Sequence, residues 1–359
     1  MNKAIPPFLF QFCFYKNNTD MKQNNYNGKL QQPLGSGFDA FSTASEVIRG
    51  IDLHGKNVII TGGYAGIGLE TARVLAEAGA TVIAPARDLE KAAAALKGIP
   101  NLELEFMDLM EPASIDAFAE KFLATGRPLH LLINNAGIMW VPLRRDSRGN
   151  ESQLSTNYLG QFHLTARLWP ALKKANGARV VNVSSFGHQM APVDFEDPNF
   201  LHREYQTLLG YGQSKTASNL FALELDVRGA AFKVRAYSLH PGSVNGTDLG
   251  REAPMVLFQQ MGTHDENGNI YPEVAGKLKT IPQGAATTVW CATSPQLEYT
   301  GGVYCENCDI ASLDRGDIEK DYAEPSSLRG VLPYAVDEYK AKQLWVLSEA
   351  LTGVDFILE

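Results

Sequence analysis

Short apolar runs alternate along this chain with segments whose apolar residues recur at helical spacing. The spacing is clearest over 151–174, where Leu154, Tyr158, Phe162 and Trp169 share one helix face. The apolar runs lie at 57–61, 81–86, 102–107, 129–133, 179–183 and 233–239, with a last short run from Gly302. Strands that alternate with helices are typical of a parallel sheet. We therefore predict a single α/β domain with a doubly wound parallel sheet of about seven strands.

A glycine-rich turn separates the first strand from the first helix. It contains Gly62, Gly66, Ile67 and Gly68, and the helical pattern continues through Ala78. Glycines allow a tight turn and a close approach of the backbone to a phosphate, and the helix N-terminus supplies N–H groups and partial positive charge. A strand, a glycine turn and a helix in this order predict a Rossmann-type nucleotide-binding fold.

The residues at the end of the second strand indicate which dinucleotide binds. Many dinucleotide-binding folds have a carboxylate there, which binds the 2′-hydroxyl of the adenosine ribose. This chain has Ala86 and Arg87 instead, and a guanidinium suits a 2′-phosphate. We therefore expect NADP (NADPH) in preference to NAD. The alternative is that Arg87 is a solvated charge ahead of a helix capped by Asp88.

Polar residues and glycines also follow the later strands. Ligands of open α/β sheets lie at the carboxyl edge of the strands, so these residues are candidates for a binding site. They are Asp108 and Leu109 after the third strand, Asn134 to Gly137 after the fourth, Ser184 and Ser185 after the fifth, and His240 to Thr247 after the sixth. Taken singly, each is also compatible with an ordinary turn.

Tyr211 and Lys215 are four residues apart, so they share one face of the helix predicted over 210–229. An ammonium beside a phenol favours the phenolate. We therefore expect Lys215 to lower the pKa of Tyr211 and to make the phenol a general acid or base near neutral pH. The alternative is a surface helix that happens to carry both residues.

Composition and charge narrow the class of protein. The 359 residues, 45% of them hydrophobic, are enough to bury a full core. A formal net charge of -8 opposes binding to nucleic acid or to an anionic membrane surface. Cys13, Cys291, Cys305 and Cys308 are too few for a disulfide framework, so we expect a cytoplasmic protein. Cys305 and Cys308 have the spacing of half a zinc site, but no second pair completes it, and we expect no metal.

Two segments fall outside the repeating pattern. We expect residues 1–40 to be a poorly ordered N-terminal extension ahead of a domain over 41–359. Ile5–Tyr15 is too short and too interrupted to span a membrane, so we expect no membrane association, with a membrane-touching tail as the alternative. Residues 250–282 are interpreted as a substrate lid, because loops over the carboxyl edge of such sheets carry specificity.

In order along the chain, these motifs resemble the short-chain dehydrogenase/reductase family. The matching motifs are Thr61-Gly-x-x-x-Gly66-Ile-Gly68, Asn134-Asn-Ala-Gly137, Asn157, Val183-Ser-Ser185, Tyr211-x-x-x-Lys215 and Pro241-Gly242. A narrower likeness is to the branch of retinol dehydrogenases and WW-domain oxidoreductases. It comes from Gly55-Lys56, Asn182-Val-Ser-Ser, the long gap before Tyr211 and Ser214-Lys-Thr-Ala-Ser-Asn219. The resemblance implies hydride transfer between a nicotinamide and a CH–OH group.

The resemblance also implies roles for single residues. Ser185 would bind the substrate oxygen, Tyr211 would pass the proton, and Lys215 would hold the nicotinamide ribose. Asn157 would complete the catalytic set by anchoring a water on the proton path. The implied cofactor residues are Gly62, Gly66, Ile67, Gly68, Arg87, Asp108, Leu109, Asn135, Ala136, Gly137, Tyr211, Lys215, Pro241, Gly242, Val244 and Thr247. Thr247 stands one position later than the family pattern because Gly246 intervenes.

The function predicted on this basis is an NADP-dependent oxidoreductase acting on an alcohol, aldehyde or ketone. We expect a lipophilic substrate because Met255, Val256 and Phe258 lie in the lid segment. The alternative is a catalytically silent NAD(P)-sensing protein on the same fold. The resemblance also implies a homo-oligomer, paired through the helices that carry Asn157 and Tyr211.

Overall fold

The computed structural model describes residues 24–316 and 318–358. Its strands are β1 (Asn57–Ile60), β2 (Thr81–Ala86), β3 (Leu102–Phe106), β4 (Leu131–Asn134), β5 (Ala178–Val183), β6 (Val234–His240), β7 (Tyr304–Glu306) and β8 (Asp309–Ile310). They form one sheet with the order β3-β2-β1-β4-β5-β6-β7-β8, parallel except for the β7–β8 pair. The strand order reverses between β1 and β4, as in a doubly wound nucleotide-binding sheet. The predicted Rossmann-type α/β fold is confirmed.

Helices connect the strands on both faces of the sheet. They are α1 (Ala44–Val47), α2 (Gly66–Glu77), α3 (Leu89–Ala95), α4 (Pro112–Ala124), α5 (Ser152–Leu154), α6 (Gly160–Lys174), α7 (Thr207–Gly229), α8 (Met255–Gln260), α9 (Pro272–Ala275), α10 (Ile281–Thr293) and α11 (Glu338–Thr352). A π-helical turn over Ser155–Leu159 joins α5 to α6. Pro112 begins α4 at the position where its missing N–H costs nothing.

Each face of the sheet has its own apolar core. Ile59 packs with α4, α6, α7 and α11, and the next residue, Ile60, packs with α1, α2 and α10 on the other face. This division follows from the alternation of side chains along a strand. Strands buried on both sides need continuous apolar runs, which is the pattern that predicted them.

The eighth strand was not predicted. β7 and β8 form a hairpin whose turn residues Asn307 and Cys308 both have positive φ, 51° and 59°. A two-residue turn of this kind matches the twist of the paired strands. Cys305 and Cys308 are buried thiols in this hairpin and are not bonded to each other. A strand of two residues is too short to show a hydrophobic pattern.

Residues 24–40 are part of the folded domain. Asn25 Nδ2 donates to the Gly302 carbonyl at 2.9 Å, and Gln31 Nε2 donates to the Tyr304 carbonyl at 2.6 Å. Both amide side chains are fully buried beside β7. The expectation of a poorly ordered extension up to residue 40 is therefore wrong for this part. Buried amides with distant partners look like surface residues in a sequence.

The remainder of that extension, including the candidate membrane-touching tail at Ile5–Tyr15, lies outside the described residues. Within the part of the chain that the structure describes, none of the helices is both long enough and apolar enough to cross a bilayer.

The C-terminal helix α11 covers the outer faces of α6 and α7. Trp345 of α11 stacks on Phe356 with ring centroids 4.8 Å apart, and it lies 5.4 Å from Phe162 and 6.1 Å from Phe221. Nearly every residue of α7 from Gly210 to Asp226 is buried within this single chain. The predicted interface through α6 and α7 is therefore wrong, because the chain's own C-terminus occupies that surface. The homo-oligomer itself stays a prediction.

We expect Trp345→Ala to lower the free energy of unfolding by about 3–5 kcal/mol, because it leaves a cavity among buried aromatic rings. Urea denaturation measures this change. The neighbouring Val346 is largely exposed, so Val346→Ala should change stability by less than about 0.5 kcal/mol. Equal losses in the two variants would contradict the packing role of α11.

Candidate active site

Helix α7 brings Tyr211 and Lys215 to the carboxyl end of β5. Lys215 Nζ donates to the carbonyl of Val183, the last residue of β5, at 2.9 Å. The same nitrogen lies 5.6 Å from the centre of the Tyr211 ring. Both side chains are buried. The structure therefore places the predicted pair on one helix face, directed towards the edge where ligands bind in this fold.

Asn157 adjoins Lys215 across Gly137. Asn157 Nδ2 donates to Ser214 Oγ at 2.9 Å and to the Ile138 carbonyl at 3.0 Å, and its Oδ1 accepts from the Ile138 N–H at 2.8 Å. A Cβ atom at position 137 would lie 3.2 Å from Asn157 Oδ1 and 3.5 Å from Lys215 Nζ. The Asn157 amide is thus held by protein groups, and its expected role as a water anchor stays a prediction.

The π-helical turn over Ser155–Leu159 contains Asn157. Its defining bond runs from the Gly160 N–H to the Ser155 carbonyl, one residue wider than an α-helical bond. Turns of this type are rare and occur frequently at functional sites. The apolar spacing over 151–174 predicted one regular helix, since a single wide turn hardly disturbs that spacing.

The two serines at the end of β5 have different partners. The Ser185 hydroxyl accepts from the Gly187 N–H at 2.9 Å, and a Cβ atom at Gly187 would contact both Ser185 Oγ and the Tyr211 ring. The Ser184 hydroxyl instead donates to the Lys215 carbonyl at 2.9 Å. Gly187 lies so close to the Tyr211 ring that a Cβ atom there would overlap it. Of the pair, only Ser185 presents its hydroxyl to the phenol.

Burial controls the protonation of this group of residues. It raises the pKa of Tyr211 to about 12, while the hydrogen bond from Ser185 acts in the opposite direction. Burial lowers the pKa of Lys215 to about 8. The expectation of a lowered tyrosine pKa is therefore wrong for this structure, because the loss of hydration dominates and the amine is directed to the Val183 carbonyl. At neutral pH the phenol carries its proton.

The glycine turn forms a cradle without side chains at the start of α2. Gly62 has φ +67°, and a Cβ atom at Gly68 would overlap the Gly62 carbonyl oxygen. Helix α2 begins at Gly66, and the preceding Ala65 provides no side-chain cap. The first-turn N–H groups, including that of Ile67, therefore remain available to an anionic group. This geometry fits a dinucleotide pyrophosphate.

Thr61 connects the glycine turn to β4. Its Oγ1 accepts from the N–H groups of Asn135 and Ala136, both at 3.0 Å, and the Asn135 side chain donates to the Thr61 carbonyl at 2.9 Å. Gln161 Nε2 of α6 also donates to Thr61 Oγ1 at 3.1 Å. No role for Thr61 or Gln161 is predicted from the sequence. The polar end of an otherwise apolar strand was the signal for Thr61, whereas nothing local marked Gln161.

Arg87 and Asp108 lie together at the ends of β2 and β3. Their side chains are 3.9 Å apart, and the Arg87 side chain is 54% exposed, so it can turn towards a ligand. Asp88 caps α3 by accepting from the Lys91 N–H at 2.9 Å, as expected. Leu109 is buried and packs in the core.

The segment after β6 reaches back to the glycine turn. Pro241 follows the strand, Gly242 has φ +95°, and Val244 packs against α10. The Thr247 methyl group would lie 3.4 Å from a Cβ atom at Gly66. The structure thus places Thr247 beside the cradle despite its shifted position in the sequence.

The segment 250–282 stands over the residues that follow β4. The Phe258 ring on α8 lies 5.0 Å from the Trp140 ring and 5.0 Å from the His264 ring. Trp140 is buried with φ +55°, and its Nε1 has no hydrogen-bond partner among the described residues. Met255 remains exposed. The segment therefore has an apolar contact with the body of the domain.

Comparison with known proteins gives consistent matches. Residues 56–255 match the family model described as short chain dehydrogenase. A probable oxidoreductase of Streptomyces lividans is 39% identical over 302 residues, 82% of this chain and 97% of that protein. Retinol dehydrogenase 12 of Mus musculus is 37% identical over 264 residues, 72% of this chain and 79% of that protein. The crystal structure of an uncharacterized protein from Mycobacterium paratuberculosis superposes with a TM-score of 0.64 at 33% identity, covering 86% of this chain and 97% of that chain.

The doubly wound sheet and the glycine cradle at its carboxyl edge are those of a dinucleotide-binding protein. The chain belongs to the short-chain dehydrogenase/reductase family. Its resemblance to the branch that includes the retinol dehydrogenases is confirmed. Family membership implies a nicotinamide cofactor, and the cradle at Gly62 to Gly68 fits one.

Proposed function

We propose that the protein is an NADP-dependent oxidoreductase that interconverts a lipophilic alcohol and its aldehyde or ketone. The observation that carries the proposal is the convergence of three side chains: Ser185 Oγ and the Tyr211 ring both adjoin Gly187, and Lys215 Nζ lies 5.6 Å from the centre of that ring. These groups lie at the carboxyl edge that also holds the glycine cradle. When bound there, the nicotinamide supplies or accepts the hydride.

The protein's part in the reaction is to orient the carbonyl and move one proton. In the reducing direction the substrate oxygen accepts hydrogen bonds from the Ser185 hydroxyl and the Tyr211 phenol, and Tyr211 transfers its proton to that oxygen. A pKa of about 12 keeps the phenol protonated at neutral pH, which suits a proton donor. Lys215 Nζ, held near the ring by the Val183 carbonyl, stabilises the phenolate that forms.

The preference for NADP rests on Arg87. Its guanidinium stands at the end of β2, where the adenosine ribose binds in this fold, and no carboxylate follows the strand directly. Asp108 is only a weak competitor for the guanidinium, because the two side chains are 3.9 Å apart and the Arg87 side chain is half exposed. A 2′-phosphate offers bidentate hydrogen bonds that this surface pair lacks.

The residues of the lid support the proposal of a lipophilic substrate. Phe258 and Trp140 form an aromatic contact where the lid segment 250–282 meets the loop after β4. That loop also contains Gly137 and Ile138, which adjoin Asn157 and Lys215. Apolar side chains of the lid beside this loop would favour a substrate with alkyl or aromatic groups.

We expect Tyr211→Phe to abolish turnover while leaving NADPH affinity nearly unchanged, because it removes the transferable proton and leaves the glycine cradle and Lys215 in place. The assay follows NADPH oxidation over a panel of aldehydes, ketones and steroids, with NADPH binding measured by fluorescence. Tyr304→Phe is the matched control, since Tyr304 is buried and its hydroxyl has no hydrogen-bond partner among the described residues. Unchanged kcat in Tyr211→Phe would reject the assignment. A wild-type protein that binds NADPH but turns over no substrate would favour the silent sensor instead.

Arg87→Asp should shift preference from NADPH towards NADH by about tenfold or more, equivalent to about 1.4 kcal/mol, because it replaces a phosphate-binding cation by a carboxylate suited to a 2′-hydroxyl. The ratio of kcat/KM for the two cofactors measures the shift. Lys29→Asp makes the same change of charge in the segment beside β7, towards the opposite edge of the sheet from β2, and should leave the ratio unchanged. An unaltered ratio in Arg87→Asp would remove the argument for NADP.

Phe258→Ala should raise KM for long-chain or aromatic substrates by about tenfold and leave KM for a short-chain aldehyde nearly unchanged, because it removes apolar contact area at the lid. Val256→Ala, an exposed change in the same helix, is the control. Equal effects on long and short substrates would show that the lid does not select for apolar groups.

A further inference from the structure

His188 is a buried histidine near the proposed active site, and the proposed reaction gives it no task. It lies within the turn Phe186–Met190 that directly follows Ser185, and it is fully buried. Because the turn begins at Ser185, a group bonded to the Ser185 carbonyl restrains the residue whose hydroxyl lies beside the Tyr211 ring. The contacts of His188 are therefore relevant to the reaction.

Both ring nitrogens of His188 contact backbone groups. Nδ1 lies 2.8 Å from the Ser185 carbonyl, and Nε2 accepts from the Leu332 N–H at 3.3 Å. An amide N–H can only donate, so Nε2 must be the unprotonated nitrogen and Nδ1 must carry the hydrogen. The Ser185 carbonyl thus receives two bonds from His188, one from the ring and one from the His188 N–H at 3.2 Å. The contacts fix one tautomer.

The same turn is anchored on its other side. The His188 carbonyl accepts from Thr216 Oγ1 at 3.0 Å and from the Tyr334 hydroxyl at 2.7 Å. Thr216 directly follows Lys215 on α7. The His188 ring also packs against the Tyr304 ring, with centroids 5.0 Å apart. His188 therefore connects Ser185 to α7 and to the C-terminal segment 331–336.

The imidazole keeps this arrangement over a wide pH range. Burial lowers the pKa of His188 to about 4, and the nearby Lys320 and Asp314 act on it in opposite directions. The neutral ring persists at physiological pH, so the Leu332 bond does not titrate there. This stability suits a positioning group and does not suit a proton carrier.

We infer that His188 is a positioning residue, which holds the Ser185 hydroxyl against the Tyr211 phenol by linking the Ser185 carbonyl to the backbone of Leu332. The inference rests on the proposed function, since it explains what holds Ser185 in place within the proposed active site. A buried histidine whose polar atoms are merely satisfied would have the same contacts but no effect on the reaction. Kinetics of variants in the full-length protein distinguish the two cases.

The decisive comparison is His188→Phe with His188→Asn. Phenylalanine fills the ring volume without a nitrogen, so we expect kcat to fall about tenfold or more while the Kd for NADPH stays constant. Asparagine has a donor near the place of Nδ1, so it should restore kcat to within about threefold of wild type. Tyr334→Phe is the control, because it removes a bond to His188 that does not lead to Ser185.

A second readout separates positioning from stability. The Ser185 hydrogen bond lowers the pKa of Tyr211, so a displaced Ser185 raises it. Alcohol oxidation needs the phenolate, so at any pH below that pKa its rate falls when the pKa of Tyr211 is raised, whereas carbonyl reduction uses the protonated phenol. We expect His188→Phe to slow oxidation more than reduction at a fixed pH, and the ratio of the two rates to stay unchanged in His188→Asn and Tyr334→Phe.

The outcomes are distinct. His188→Phe with wild-type kcat, or with a loss no greater than that of Tyr334→Phe at equal thermal stability, would overturn the positioning role while the proposed function stands. If the wild-type protein turns over no substrate of the panel, in an assay that detects turnover by another short-chain dehydrogenase, the proposed function and the positioning role are rejected together. Nitrogen-15 NMR of the imidazole gives an independent check, since a ring protonated on Nε2 near neutral pH would also overturn the inference.

Discussion

The bond from Lys215 Nζ to the Val183 carbonyl is the constraint on which the candidate site depends. An amine taken out of water loses hydration, and burial lowers the pKa of Lys215 to about 8 as a result. The carbonyl at the end of β5 replaces part of that hydration at 2.9 Å. Because the bond joins α7 to β5, it also fixes the distance between Tyr211, on the helix, and Ser185, which follows the strand.

Helix α7, which carries the buried Lys215 amine, must be shielded from water, and the surrounding elements of the fold shield it. On one side α7 packs against the sheet, and on the other α11 covers it with Trp345 and the aromatic cluster around Phe162. Tyr26, in the segment once expected to be disordered, donates to Glu224 of α7 at 2.6 Å. The two ends of the described chain therefore serve the same purpose, which is to exclude water from the helix that bears the reactive residues.

Much of the fold and the site could be predicted from the sequence because the signals were local. Seven strands follow from apolar runs, and the glycine turn has its residues within one short segment. The eighth strand is too short to show a hydrophobic pattern, and the single wide turn at Asn157 hardly disturbs the helical spacing. The packing of Asn25 and Gln31 could not be predicted, since their partners lie far away in the sequence. The direction of the Tyr211 pKa was missed for the same reason, because burial of α7 is a property of the assembled domain.

Burial favours the uncharged forms of both candidate catalytic side chains, Tyr211 and Lys215, and this has a chemical consequence. Burial disfavours charge on the phenol and on the amine alike, so the protein holds Tyr211 protonated and weakens the charge on Lys215. A protonated phenol is ready to give its proton to a carbonyl, whereas alcohol oxidation must first form a buried phenolate. An oxidised nicotinamide is cationic, and its charge near the phenol would lower that cost. For the proposed function, the protonation of Tyr211 therefore suits carbonyl reduction, and alcohol oxidation carries the added cost of a buried phenolate.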